Sequence, residues 1–137
     1  FFLSPGAMEP GLNPGDKDPH LLLVGSPPFT RCQRAESSAK WVGIRATVGA
    51  SRGRTAFSVY NISGGNLRVG FSTLDATLEL GMDKQSFGFG GTGTKSHAKK
   101  YTNWGQTYGQ GDTVTALLDM DKHVIQYLKN GKLMPGD

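Results

Sequence analysis

Apolar and polar positions alternate with a period of two through most of this chain, and no helical period competes with that pattern. Leu67, Val69 and Phe71 alternate with Arg68, Gly70 and Ser72, which predicts a half-buried strand. A polar loop carrying Asp75, Glu79, Asp83 and Lys84 follows, and Phe87 and Phe89 then alternate with small residues as a strand with one aromatic face. Val114, Ala116, Leu118 and Met120 form one clean strand face. Asp121-Lys122 turns the chain into His123 to Leu128, where Ile125 and Tyr127 share a face. Asn130-Gly131 is a hairpin-turn signal, but Pro135 and Gly136 follow so closely that no returning strand is expected. Trp41 to Thr47 and Phe57 to Ile62 also alternate. Leu21 to Val24 is a short apolar run ended by Gly25-Ser26-Pro27-Pro28, and Phe29 to Arg34 is a second short strand with Cys32 as a small buried filler.

The remaining segments read as irregular. Arg34 to Lys40 is a polar loop. Thr94 to Gly111 is polar and aromatic without period, and Gly49 to Arg54 is a basic turn. Residues 1–19 interleave Pro5, Pro10, Pro14 and Pro19 with Gly6, Gly11 and Gly15, a composition that predicts an irregular lead-in or linker. Residues 20–137 are then the folded domain. Roughly eight short strands with turn signals every eight to twelve residues predict an all-β, antiparallel two-sheet sandwich. Its expected core is Phe71, Phe87, Phe89, Leu118 and Tyr127, mutually packed from the inward phase of adjacent strands.

Several spellings along the chain resemble the SPRY domain. They are L-N-P at Leu12, W-V-G-I-R-A-T at Trp41, R-V-G-F-S-T at Arg68, L-G-M-D at Leu80 and S-F-G-F-G-G-T-G at Ser86. K-S-H at Lys95, G-D-T-V at Gly111, L-L-D-M-D-K at Leu117 and K-N-G-K at Lys129 complete the set. Their order and spelling are similar to the SPRY domain inserted into one subfamily of DEAD-box ATP-dependent RNA helicases, across roughly Asn13 to Lys132. The resemblance implies a two-sheet antiparallel sandwich and further strands beyond the Asn130-Gly131 turn, so the natural protein is expected to continue past Asp137. It also implies a parent polypeptide whose catalytic core carries this domain as an insert.

Composition narrows the function classes. The 137 residues suffice for one domain with a real core. Twenty glycines and 36% apolar residues suit a turn-rich β protein. Cys32 is the only cysteine, which excludes a disulfide framework or a cysteine zinc cluster and points to a reducing compartment, nucleus or cytoplasm. No apolar run approaches a membrane span, and Phe1-Phe2-Leu3 is too short for a signal segment. Without such a segment the Asn61-Ile62-Ser63 sequon is discounted. Fifteen basic against eleven acidic side chains give a formal charge of +4, which admits an acidic partner such as RNA without requiring one.

Apparent catalytic motifs dissolve on inspection. Gly88-Phe89-Gly90-Gly91-Thr92-Gly93 spells the dinucleotide pattern, but that motif needs a helix N-terminus after the strand to hold a pyrophosphate, and none is predicted. These glycines read as close-packed strand and turn positions. Gly93-Thr94-Lys95-Ser96 lacks the glycine that precedes the lysine of a phosphate loop. The three histidines lie far apart, so no metal site is expected. Asp119 and Asp121 share a strand face, with Asp121 expected to cap turn amides. No serine sits in a nucleophile elbow. No catalytic residue, cofactor or metal is expected.

What remains is an interaction surface. One basic group comprises Arg31, Arg34, Arg45, Arg52 and Arg54, with Lys40 between them. The second is Lys95, His97, Lys99 and Lys100, with Trp104 close behind. Asp75 and Lys84 mark the loop that completes the candidate surface. The expected role is a non-catalytic protein-interaction module within a DEAD-box RNA helicase. Direct RNA contact through the basic loops is the competing reading, because cations beside aromatics can hold phosphates while bases stack.

Overall fold

The computed structural model describes residues 9–36 and 40–134. The first eight residues of the expected lead-in, part of the Arg34–Lys40 loop and the terminal Pro135-Gly136 lie outside the described residues. Among those described there is no helix, and strands dominate. The chain divides into two compact units, Phe1–Ser51 and Arg52–Asp137.

The first unit holds two small antiparallel pairs. β2 (Leu21–Val24) pairs with β3 (Arg31–Arg34), as the apolar run and its turn predict. Cys32 is only partly covered rather than fully buried, because it lies on a two-stranded ribbon, and burial pushes its thiol pKa up. β1 (Leu12–Lys17) pairs with β4 (Ile44–Ala46). β1 lies in the stretch predicted to be irregular, so that expectation is corrected for these six residues. The register shifts between Leu12 and Lys17, and an interrupted ladder tolerates Pro14, which has no N–H to donate. Arg45 fixes the pairing: its Nε donates to Asp16 Oδ2 at 2.7 Å and its second nitrogen to Oδ1 at 3.1 Å.

The second unit is the sandwich. One sheet has the order β12-β11-β10-β5, built from β5 (Arg54–Tyr60), β10 (Thr113–Asp119), β11 (Val124–Lys129) and β12 (Lys132–Leu133). The other has the order β6-β7-β8-β9, built from β6 (Arg68–Ser72), β7 (Ser86–Gly90), β8 (Thr94–His97) and β9 (Lys100–Asn103). Two expectations are corrected here. The Asn130-Gly131 turn does return a strand, β12, which places Leu133 opposite Leu128; Asn130 and Gly131 both take positive φ, the conformation a two-residue hairpin requires. The stretch from Thr94, predicted to lack strands, forms β8 and β9.

Val69 and Phe89 from one sheet meet Val114, Ala116 and Tyr127 from the other, and Tyr108 and Met134 close the cluster. The predicted phase holds for Phe89 and Tyr127, and Phe71 packs on the margin. Phe87 is the exception: it is 47% exposed. Leu118 is only partly buried. Asp119, not Asp121, caps the β10–β11 turn, its Oδ1 accepting the amides of Asp121 and Lys122 at 3.0 Å. Asp121 instead accepts the Gly53 amide at 3.2 Å.

Candidate interaction surface

The outer face of the β6–β9 sheet is paved with small residues, and that choice lets a loop lie on it. Ser86, Gly88 and Ser96 are buried there. Residues 73–85 fold over them: a Cβ on Gly88 would come within 3.1 Å of Leu80, and one on Gly81 would sit 2.0 Å from Ser96 Oγ. Asp83 pins this loop from within. Its Oδ2 accepts the Thr77 amide at 2.8 Å, while Oδ1 accepts the Gln85 amide at 2.9 Å and the Ser86 hydroxyl at 3.2 Å. The Thr77 amide, followed by those other donors, holds the Asp83 carboxyl below the usual carboxylate range.

That loop in turn supports the β8–β9 turn. His97 and Lys100 are the last paired residues, so Ala98 and Lys99 form a two-residue turn, both with positive φ (51° and 64°). Such turns usually hold Asn and Gly. Here the Ala98 amide donates to the Asp83 carbonyl and the Lys99 amide to the Gly81 carbonyl, both at 2.9 Å. Two non-local hydrogen bonds hold a conformation that the two residues would not choose alone. The result is a rigid tip presenting Lys99 and Lys100.

The inner face of the hairpin carries Lys95 and His97. His97 stacks on Phe87 with ring centroids 4.1 Å apart and planes 4° from parallel. Its Nδ1 lies 2.9 Å from the Ser86 carbonyl, so Nδ1 carries the proton and Nε2 faces away from that bond. Lys95 lies over Trp104, 5.6 Å from the ring centroid, within cation–π range. Trp104 stands edge-on to Phe89 and Tyr127, and its indole N–H is buried without a partner among the described residues. On the outer face Arg68 lies 5.6 Å from the Tyr101 ring centroid and donates to the Leu80 carbonyl at 2.8 Å.

Of the predicted surface residues, the structure brings Lys95, His97, Lys99 and Lys100 together on one hairpin with Trp104 beneath. Lys84 is exposed on the supporting loop, and Asp75 is exposed nearer its start. None of these four lysines pairs with a carboxylate among the described residues. The other basic group is divided between the two units. Arg31, Arg34 and Arg45 belong to the first unit and Arg52 and Arg54 to the second, with Arg45 committed to Asp16 and Arg54 to Asp119 at 3.1 Å. Sequence reasoning missed that Phe87 is exposed and backs His97. It also missed the carbonyls of Gly81 and Asp83, for which a side-chain pattern gives no signal.

The Gly88–Gly93 run forms the end of one strand and a turn into the next. The Trp104 amide donates to the Gly93 carbonyl at 2.8 Å and the Tyr108 amide to the Gly91 carbonyl at 3.0 Å. A Cβ on Gly91 would meet the Tyr108 carbonyl at 2.7 Å. The run therefore lets the Trp104–Tyr108 segment lie on the turn, where Tyr108 Oη reaches the Leu67 carbonyl at 2.9 Å and also the Phe89 carbonyl.

Two antiparallel sheets packed face to face, with a charged hairpin at one side, define an all-β sandwich. The SPRY domain pattern matches residues 54–136, and the chain belongs to the SPRY domain family, whose members are typically protein-interaction modules. It is 40% identical over 121 residues to the ATP-dependent RNA helicase DDX1 of Xenopus laevis, covering 88% of this chain and 16% of that protein. Against the ATP-dependent RNA helicase Ddx1 of Drosophila melanogaster the identity is 38% over 111 residues, 80% of this chain and 15% of that protein. A more distant relative is heterogeneous nuclear ribonucleoprotein U-like protein 2 of Mus musculus, 28% identical over 104 residues, 67% of this chain and 14% of that protein. The chain thus spans about one sixth of the length of its helicase relatives.

Proposed function

We infer that this chain is a non-catalytic protein-interaction module, an accessory domain of an ATP-dependent DEAD-box RNA helicase, and that the β8–β9 hairpin is its contact surface. The observation that carries this reading is the set of lysines on a braced turn with no acidic partner of their own. A rigid display costs little entropy on binding, and a cluster of unpaired cations selects an acidic segment on a partner protein. Direct RNA contact is the second reading, favoured by Phe87 and Tyr101, which are 47% and 50% exposed beside the same lysines.

Reversal of Lys95, Lys99 and Lys100 to glutamate separates the two. For a protein-binding module, single-stranded RNA affinity is weak at physiological salt and changes little in the variant, while capture of helicase-associated proteins by the domain is lost. An RNA-binding module shows the opposite. Wild-type affinity then falls steeply with salt, by about 0.7 logarithmic units per neutralised phosphate for each tenfold rise in salt, and the triple reversal removes most of it.

A further inference from the structure

The loop that braces the lysine hairpin carries an oxidisable side chain at its point of attachment. Met82 lies between Gly81 and Asp83, whose carbonyls accept the Lys99 and Ala98 amides at 2.9 Å. Its side chain crosses to the same hairpin, where Tyr101 Oη donates to the Met82 sulfur at 2.8 Å. The small residues of the outer face make this reach possible. Tyr101 stands opposite Ser96, and Ser96 opposite Gly88, so the row beside the ring holds only a hydroxymethyl group and a hydrogen. Arg68 extends over that row from the other side, its guanidinium 5.6 Å from the Tyr101 centroid. The loop is thus tied to the hairpin at residue 82 three times, through the backbone on either side and through the sulfur. All of these parts belong to the loop and its own sheet. Met82 is half-buried, which leaves its thioether within reach of a small oxidant.

We propose that Met82 is a reversible oxidation site, with hydrogen peroxide as the oxidant, and that its sulfoxide releases the Ala98-Lys99 turn. A lone pair of the thioether sulfur attacks one peroxide oxygen, and the O–O bond breaks as the S–O bond forms. The departing hydroxide takes the proton left on the transferred oxygen and leaves as water. Sulfur loses two electrons and peroxide gains them. The product is larger than the thioether and polar. It cannot keep its place, because the Tyr101 phenol already sits at hydrogen-bond distance from the sulfur, so side chain and ring must part. Ala98 and Lys99 hold a left-handed conformation through the Gly81 and Asp83 carbonyls, and a shift at residue 82 acts on both bonds at once. Lys99 is then presented from a mobile tip, and the entropy saved by rigid display is lost. A thiol-dependent reductase restores the thioether, removing the oxygen as water while two thiols become a disulfide. The consequence for binding rests on the hairpin being the contact surface; the modification and its effect on the turn do not.

Mild treatment of the chain with hydrogen peroxide, followed by peptide mapping and hydrogen exchange, tests the proposal. Met82 should gain one oxygen while Met134, which is 3% exposed, does not. The Ala98 and Lys99 amides should then exchange faster by on the order of tenfold, the worth of about one hydrogen bond. Methionine sulfoxide reductase should reverse the change. Met82→Leu should keep both amides slow in peroxide. Should that variant fail to fold, Tyr101→Phe serves instead: it lacks the hydroxyl that the new oxygen displaces, so oxidation should accelerate its two amides less than in wild type. A Met82 that gains oxygen only as the chain unfolds overturns the proposal. So does an oxidised chain whose Ala98 and Lys99 amides stay slow, or an acceleration that persists undiminished in Met82→Leu or in Tyr101→Phe. Faster exchange with undiminished capture of helicase-associated proteins would uphold the oxidation site and overturn instead the reading of the hairpin as the contact surface.

Discussion

Phe87 and Phe89 sit two residues apart on β7, on the same face, and have opposite fates. Phe89 is fully buried and Phe87 is 47% exposed. The difference lies entirely in what arrives from elsewhere. Over Phe89 come Trp104, Tyr108 and Tyr127, with ring centroids at 5.1, 5.4 and 5.1 Å. Met134 comes too, since a Cβ on Gly105 would meet both Phe89 and the Met134 sulfur. Among the described residues the ring that stacks on Phe87 is that of His97. Period-two alternation states which face a residue is on, and burial depends on whether a non-local segment reaches that face. One end of the sheet is therefore sealed core. The other is a half-exposed aromatic margin.

The largest expected effect tests that contrast directly. Phe89→Ala should destabilise the fold by about 3–5 kcal/mol, because it opens a cavity among three aromatic neighbours. Phe87→Ala should cost within about 1 kcal/mol, as befits a half-exposed side chain. Urea denaturation midpoints of the two variants measure this. Equal losses would mean that both ends of the sheet are core and would remove the basis for a binding margin at Phe87.

The same contrast explains what could be read from the sequence. Val114 and Ala116 are fully buried where alternation placed them, because β10 is central and covered on its inner face. β8 and β9 were invisible because their inner positions are Lys95, His97, Lys100 and Thr102, so no apolar alternation marks them. Their turn, Ala98-Lys99, lacks the glycine or asparagine that would announce it, its shape being imposed by carbonyls on another loop. β1 was hidden for a similar reason: its partner β4 and the Asp16–Arg45 clamp lie 29 positions away. The second lysine cluster was legible as a surface because consecutive strand and turn residues stay together whatever the topology. The first basic group, Arg31 to Arg54, is split between the two units, a division that the charge pattern alone does not mark.

A second, smaller effect sharpens the comparison between the covered outer face and the open inner margin. Gly81 has φ of +85°, and a Cβ there would sit 2.0 Å from Ser96 Oγ and 2.9 Å from the Ser96 carbonyl. Gly81→Ala should cost roughly 2–3 kcal/mol, combining a left-handed backbone with overpacking beneath the loop. Gly111 has a similar φ of +83° but open space around it, so Gly111→Ala should cost only the backbone part, roughly 1–2 kcal/mol. If the two variants have the same midpoint, the loop does not press on Ser96, and the bracing of the Ala98-Lys99 turn loses its foundation.

The smallest effect concerns acid. Asp83 ties the covering loop down through the amides of Thr77 and Gln85 and the Ser86 hydroxyl, and these donors lower its carboxyl pKa from the ordinary 3.8. A carboxyl with a depressed folded value takes up its proton first in the unfolded chain. Its contribution to stability is therefore complete above the unfolded value and is lost as pH falls from there through the folded value. The carboxyls of Asp18, Asp112 and Asp119 are shifted the same way, so the whole chain should weaken between pH 5 and pH 2. Asp83→Asn keeps one acceptor and removes this titration alone. The variant should be less stable than wild type at pH 6 yet lose less on going to pH 3, as read from urea midpoints at the two values. Trp104 lies on the inner side of the sheet, so its fluorescence should be the same in both proteins at pH 6. A changed tryptophan signal would mean that the loop on the outer face and the aromatic cluster on the inner face respond as one unit, and the two sides of the sheet could no longer be treated as separate structures with separate roles.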